Sequence, residues 1–364
     1  MRKTSAWPLA LVYAGLIVYA SLYPFSEWRD QGILPWSYLG AAMPAYWTGF
    51  DISANVLGYV PLGFLLAVSA LRRGLGRQGV VLSCLGASAL SLVLESLQSY
   101  LPARVPSTLD LMLNALGAGL GALLALGLER LGVLERWSRF RARWFVEESR
   151  GALVLLALWP AALLFPPAVP LGLGQVLERL EAALAEQLVD TPFLEWLPVR
   201  DIELQPLVPG AELACVMLGA IAPALLAFSV VRAARRRAFF MLLMLGCGLM
   251  ASALSAALSY GPQHAWAWFS LPVKGGVALA LVMAAAMLWI PRKTSAALLV
   301  LSLALQLSLL NQAPASAYFA QTLSTWEQGR FIRFHGLAQW LGWLWPYATL
   351  LYALGFIGER EAKN

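Results

Sequence analysis

Charge is what this sequence lacks most. Only 13% of its 364 residues are Asp, Glu, Lys or Arg, against roughly 25% in an ordinary soluble domain. With 60% apolar residues and 15 Trp, and a mean hydropathy of +0.68, that shortage excludes a soluble globular chain. It points to an all-α, polytopic membrane protein. Cysteine is scarce too. Cys84, Cys215 and Cys247 each sit in a separate apolar segment without CxxC spacing, so they read as small core residues and not as a disulfide or metal framework. The two histidines, His264 and His335, are too few and too scattered for a zinc site. No HExxH, phosphate loop or Ser-His-Asp set is present, and no metal or cofactor is implied.

Long apolar runs are abundant. A spanning helix needs about 20 mostly apolar residues, and on that criterion the chain has ten: 7–23, 53–70, 80–100, 109–128, 152–165, 211–231, 239–260, 273–290, 296–310 and 337–357. The fifth and ninth are the shortest. The first follows a basic start but lacks a small-x-small cleavage site, so it is expected to be retained as a span. With the N-terminus placed in the cytoplasm, 19 of the 26 basic residues fall in inner segments. The seven outside are Arg29, Arg104, Arg179, Arg200, Lys274, Arg330 and Arg333. This is the positive-inside bias, and it alternates across all ten spans with both termini inside. The net charge of +6 therefore reads as topology in a bacterial-type inner membrane, and no nucleic-acid partner is expected.

The organisation expected is a four-span region at 1–130, a basic linker at 131–150 and six further spans at 151–364. The linker interleaves Trp137, Phe140, Trp144 and Phe145 with arginines over 136–150, the pattern of an interfacial helix on anionic lipid. In the outer segment 166–209, residues 173–189 carry Val176, Leu177, Leu180, Leu184 and Leu188 on one helical face, which predicts a surface helix. Trp28, Trp36 and Trp47 mark the outer segment 26–52 as interfacial. The pair Gly117-x3-Gly121 offers a close helix contact. No inverted repeat is detectable.

Polar residues inside the apolar runs are concentrated between Asp51 and Gly121. An ionisable group at membrane depth is costly and marks a functional site or a paired structural one. Asn55 and Tyr59 are i,i+4 in the second span, Glu95 and Gln98 are i,i+3 at the end of the third, and Asp110 and Asn114 are i,i+4 at the start of the fourth. Each pair shares a helix face. Arg104 lies in the short hairpin between Pro102 and Pro106. The topology puts all of them at a similar depth in the outer leaflet. Part of Asp110's presence has a simple cause, since a carboxylate in the first turn suits the helix dipole. Pro61 frees a carbonyl near Leu57 and is expected to kink the second span.

Two readings follow. Glu95, Arg104 and Asp110 form either an ion network that clasps the hairpin or a site open to the outer leaflet. Two acids and three amides around one Arg are more groups than a clasp needs. As a binding site, Asn55, Tyr59, Gln98, Arg104 and Asn114 would recognise a lipid or a lipid-linked glycan or envelope molecule. As an enzyme, Glu95 and Asp110 would supply acid–base chemistry for hydrolysis or group transfer. A transporter or flippase fits the span count, but the inner halves lack polar residues to continue a path. Arg330, Arg333 and His335 in TWEQGRFIRFHG are candidates for a rim over the site or for an interfacial anchor. Arg200, Asp201 and Glu203 are equally ambiguous.

Several of these motifs occur together in a known order. Ser21-Leu-Tyr-Pro-Phe25, Asn55-Val-Leu-Gly-Tyr-Val-Pro-Leu-Gly-Phe64, Glu95-Ser-Leu-Gln98, Arg104 and Asp110-x3-Asn114-x2-Gly117 resemble the signature of the VanZ-like family over residues 10–130. The resemblance implies a small multi-span domain with a cell-envelope or exopolysaccharide role. The family's namesake is associated with resistance to the glycopeptide teicoplanin. No settled reaction comes with it, and the six later spans lie outside the match.

The topology is testable by reporter fusion. Alkaline phosphatase joined after residue 190 should be active and after residue 146 inactive; the reverse pattern would refute the inward N-terminus.

Overall fold

The computed structural model describes residues 6–23, 25, 27–41, 46–196, 206–314 and 332–358, with backbone alone at 50, 179, 182 and 332–337. Twelve α-helices make up the described chain: α1 Ala6–Leu22, α2 Gly49–Arg72, α3 Gly76–Gln98, α4 Thr108–Arg130, α5 Val133–Trp144, α6 Arg150–Ala162, α7 Leu177–Leu188, α8 Pro209–Val230, α9 Ala234–Tyr260, α10 Leu271–Ala286, α11 Arg292–Leu310 and α12 Ile332–Gly358. Among the described residues there is no β-strand, only an isolated antiparallel bridge between Phe145 and Val231. Seven helices (α2, α3, α4, α8, α9, α11 and α12) are long and apolar enough to cross a membrane. Three more, α1, α6 and α10, are apolar and shorter. An apolar helix thus stands at each of the ten expected spans. The 13 residues of α6 reach about 20 Å at 1.5 Å per residue, less than the roughly 30 Å of a hydrocarbon core.

The chain divides into two compact units, Met1–Ala142 and Arg143–Asn364. In the first, α2 and α4 are its most closely paired helices. A Cβ added at Gly117 or Gly121 on α4 would overlap the carbonyls of Val56 and Val60 on α2, and one at Gly63 on α2 would overlap the Ala118 carbonyl on α4. Backbone lies against backbone along this seam, as small residues allow in lipid. The ends of these helices are set by local chemistry. Thr48 and Asp51 form a reciprocal capping box at the start of α2, which accounts for Asp51. Ser107 Oγ accepts from Leu109 N at 3.1 Å at the start of α4. At the other end, Arg72 donates to the Leu134 carbonyl and lies 3.5 Å from Glu135, which seats the first turn of α5.

In the second unit α8 is buried along most of its length, from Cys215 to Val230 apart from Met217. A helix apolar on every side requires neighbours all round, and α6, α9, α10 and α11 supply them. Arg237, 5% exposed, donates to the carbonyls of Leu288 and Ile290 at 3.0 and 2.7 Å, just beyond the end of α10.

Three sequence expectations change in detail. The basic helix ends at Trp144, and Phe145 is buried against Phe240 with ring centroids 5.3 Å apart; only Trp137 and Phe140 remain exposed in the way an interfacial helix requires. The surface helix begins at Leu177 and not at 173, because Gly174 takes a positive φ of 96° and Leu173 turns into the core. Its Leu177, Leu180 and Leu184 are exposed. The third difference is the loop before it. Val169, Leu171 and Leu173 are buried in the core cluster of this unit, so part of segment 166–209 is interior structure.

The glycine seam gives a paired prediction. Gly121→Ala should lower stability in detergent by about 1–3 kcal/mol through overpacking. Gly119→Ala, at a position where a Cβ meets nothing within 4 Å, should be neutral or slightly stabilising. Equal melting temperatures for the two variants would show that the seam is not close-packed.

Candidate functional site

The polar residues of the first unit arrange themselves in two tiers. The deeper tier lies between α2, α3 and α4. Glu95 on α3 is 5% exposed, and its Oε2 accepts from the backbone N–H of Ser107 at 2.9 Å. One turn earlier, Ser91 is fully buried and its Oγ accepts from Asn114 Nδ2 at 2.9 Å. Tyr59 reaches the same region from α2, with its hydroxyl near Ser91 and Glu95. Two buried atoms here have no hydrogen-bond partner: Tyr59 Oη and Asn114 Oδ1. An unmet polar atom in such a place costs about 1–3 kcal/mol, so the tier is polar beyond what its own bonds satisfy.

The shallower tier is half-buried. Asn55 Nδ2 donates to Asp110 Oδ1 at 2.6 Å, joining α2 to α4 just above the seam. Arg104 and Gln98 face α1. Arg104 donates to the carbonyls of Tyr23 at 2.6 Å and Ala20 at 3.4 Å, and Gln98 Nε2 donates to that of Ser21 at 3.1 Å. These are the carbonyls left without helical donors at the C-terminal end of α1, and a cation there also suits the helix dipole. Arg104 and Asp110 both lie within electrostatic reach of Glu95. Of the seven predicted residues of this unit, six come together around Glu95, whereas the described bond of Gln98 goes to α1. Pro61 lies within a continuous α2, and near it Tyr13 Oη donates to the Gly58 carbonyl at 3.0 Å.

Sequence reasoning passed over several contributors. Segment 27–40 lies along the end of α3 and the α3–α4 turn. Arg29 N donates to the Tyr100 carbonyl at 3.0 Å, and Gln31 Nε2 to that of Ser99 at 2.7 Å. Tyr38, 4% exposed, accepts through its carbonyl from Thr108 Oγ1 at 2.5 Å. Ser91 was hidden because a serine inside an apolar helix is common and carries no spacing signal. Arg330 lies outside the described residues, as do the side chains of Arg333 and His335 and the whole of Arg200, Asp201 and Glu203. Among the described residues, no group of three or more His, Cys, Asp or Glu could hold a metal ion.

Two substitutions separate the tiers. Tyr59→Phe removes an unpartnered hydroxyl and should leave the melting temperature unchanged or raise it, by no more than about 1 kcal/mol of stability. Arg104→Met removes the clamp on α1 and should cost about 1–3 kcal/mol, with faster amide exchange confined to the last turn of α1. A destabilised Tyr59→Phe would mean that the hydroxyl has a structural partner.

The geometry sits where a known family signature does. Residues 7–130 match the family model described as VanZ/LLP1. No curated protein and no solved structure matches the chain. The chain is a multi-pass membrane protein whose residues 7–130 are similar to the VanZ/LLP1 family.

Proposed function

We propose that the VanZ/LLP1 region is a binding module for a lipid or lipid-linked envelope molecule, with the cluster around Glu95 as its recognition end. The observation that carries this reading is the pair of unpartnered buried atoms, Tyr59 Oη and Asn114 Oδ1, beside Glu95. Together they present a hydroxyl donor and an amide acceptor, the complement of a hydroxyl- or amide-bearing headgroup. The half-buried Asn55–Asp110 pair and the charge of Arg104 would form the rim. In this geometry Arg104 acts first as a positioning residue, since its described bonds hold the end of α1. A position in the outer leaflet, a place in envelope or exopolysaccharide metabolism and a part in glycopeptide resistance are all compatible with such a module.

A second reading has one observation in its favour: Glu95 and Asp110 act on each other electrostatically. Paired carboxylates are a common arrangement for acid–base chemistry.

One experiment addresses both. Native mass spectrometry of the full chain, purified from a bacterial membrane, would compare wild type with the near-isosteric Glu95→Gln and Asp110→Asn. The binding reading expects a specific phospholipid or polyprenyl-linked species on wild type, reduced at least tenfold on both variants. The same bulk lipids on all three folded proteins would instead favour a purely structural clasp. A retained species that wild type converts and Glu95→Gln binds without converting would establish the enzyme reading.

A further inference from the structure

The end of the first unit opposite the Glu95 cluster is basic and aromatic. The end of α2, the start of α3, the end of α4 and the whole of α5 meet there. The start of α1 joins them, since the Arg73 guanidinium lies over the Trp7 ring at 5.2 Å. Arg73, Arg77, Arg130, Arg136 and Arg139 are all exposed. Among the described residues, the acids at this end are Glu129 and Glu135, and Glu135 is engaged by Arg72 at 3.5 Å. The five residues before α1 add Arg2 and Lys3 and no acid. Positive charge is thus gathered at one end of a unit whose other end holds Asp51, Glu95 and Asp110.

Helix α5 shows what such a surface takes. A helix of 12 residues is marginal on its own in water, so burial has to stabilise it, and Leu134 is its only buried residue. Arg72 seats the first turn through the Leu134 carbonyl. Beyond that turn, Trp137 and Phe140 are 55% and 36% exposed, and their stacked rings lie 5.4 Å apart between centroids. Arg136 precedes Phe140 by one turn, so on the helix surface the aromatic flank passes directly into a basic one carrying Arg136 and Arg139. Leu75 and Leu131, in the turns at the same end, are exposed as well. Arginines beside exposed apolar rings are the pattern of a helix lying in the headgroup region, its rings at the acyl boundary and its cations at the phosphates. An acidic protein surface would match the arginines and leave the rings and leucines unburied. A neutral bilayer would bury the rings and leave the charge unmatched. We propose that this end of the first unit docks anionic phospholipid headgroups, with Trp137 and Phe140 entering the acyl boundary and Arg136 and Arg139 meeting the phosphates. This assignment concerns the first unit alone and does not rest on the reading of the Glu95 cluster.

The test uses the full chain in nanodiscs of phosphatidylcholine alone and of equimolar phosphatidylcholine and phosphatidylglycerol, with amide exchange over residues 136–142 as the readout. Wild type should exchange about twentyfold more slowly in the anionic discs, since each of two arginines near an anionic surface contributes about a fivefold factor. High salt should erase that difference. The double substitution Arg136→Gln with Arg139→Gln should abolish it, whereas Arg136→Lys with Arg139→Lys, which keeps the charge, should retain most of it. Trp137→Ala with Phe140→Ala should speed exchange in both kinds of disc. All these positions are exposed, and melting temperatures equal to that of wild type would confirm that the variants fold. The proposal is overturned if exchange is the same in the two lipids, or if the lipid difference survives in the folded double glutamine variant. It is also overturned if soluble polyglutamate protects the segment on phosphatidylcholine discs as well as phosphatidylglycerol does, which would assign the surface to an acidic polymer.

Discussion

In an environment without water, every backbone carbonyl that a helix leaves open must be met by the protein itself, and this chain meets several of them with long side chains sent from elsewhere. Arg104 and Gln98 cover the end of α1. Arg237 covers the end of α10, and Gln306 covers the turn at Leu171. Trp345 Nε1 reaches the Leu155 carbonyl at 2.7 Å, close to where Pro160 interrupts α6. Each such bond fixes one helix against another as well as satisfying an atom. The polar residues of the apolar segments are, in good part, the devices that let irregular backbone exist there.

That dual use explains what was legible in the sequence. Span positions were readable because they depend on long apolar runs alone, and the glycine seam because Gly117-x3-Gly121 places two missing side chains on one face. Convergence of Asn55, Glu95 and Asp110 followed from counting helical turns in three successive spans. What each polar group would touch did not follow. An Arg between two acids in a sequence suggests ion pairing, yet the described bonds of Arg104 go to α1, a segment some 80 residues away. The buried loop of the second unit was illegible for another reason. Its stretch Pro-Leu-Gly-Leu-Gly-Gln has the composition of an ordinary surface turn, and only Gln306, Tyr347 and the core contacts of Leu171 and Leu173 make it interior.

The two units handle polarity differently. In the first, carboxylates, amides and a guanidinium gather at one end of three helices held at fixed spacing by bare backbone contact along the α2–α4 seam. Such a seam has little freedom to slide, because a shift of one residue would bring Cβ atoms against carbonyls at Gly117 and Gly121. The distance between Asn55 and Asp110 is therefore a property of the helix pair and not of two flexible side chains. In the second unit the polar groups are mostly neutral amides and hydroxyls, spread among helices that are otherwise Leu, Ala and Val.

The loop at Leu171 also constrains how the protein is made. Its carbonyl partners, Gln306 and Tyr347, lie 135 and 173 residues later in the chain than the groups they serve. Translation at about 5–20 residues per second leaves this backbone without those donors for about 7–35 seconds after it emerges. During that interval the segment must wait at the bilayer surface or in contact with the insertion machinery, since open carbonyls are costly in hydrocarbon. Completion of the second unit is thus tied to arrival of its last helix, and a chain truncated before α12 would be inserted without being finished.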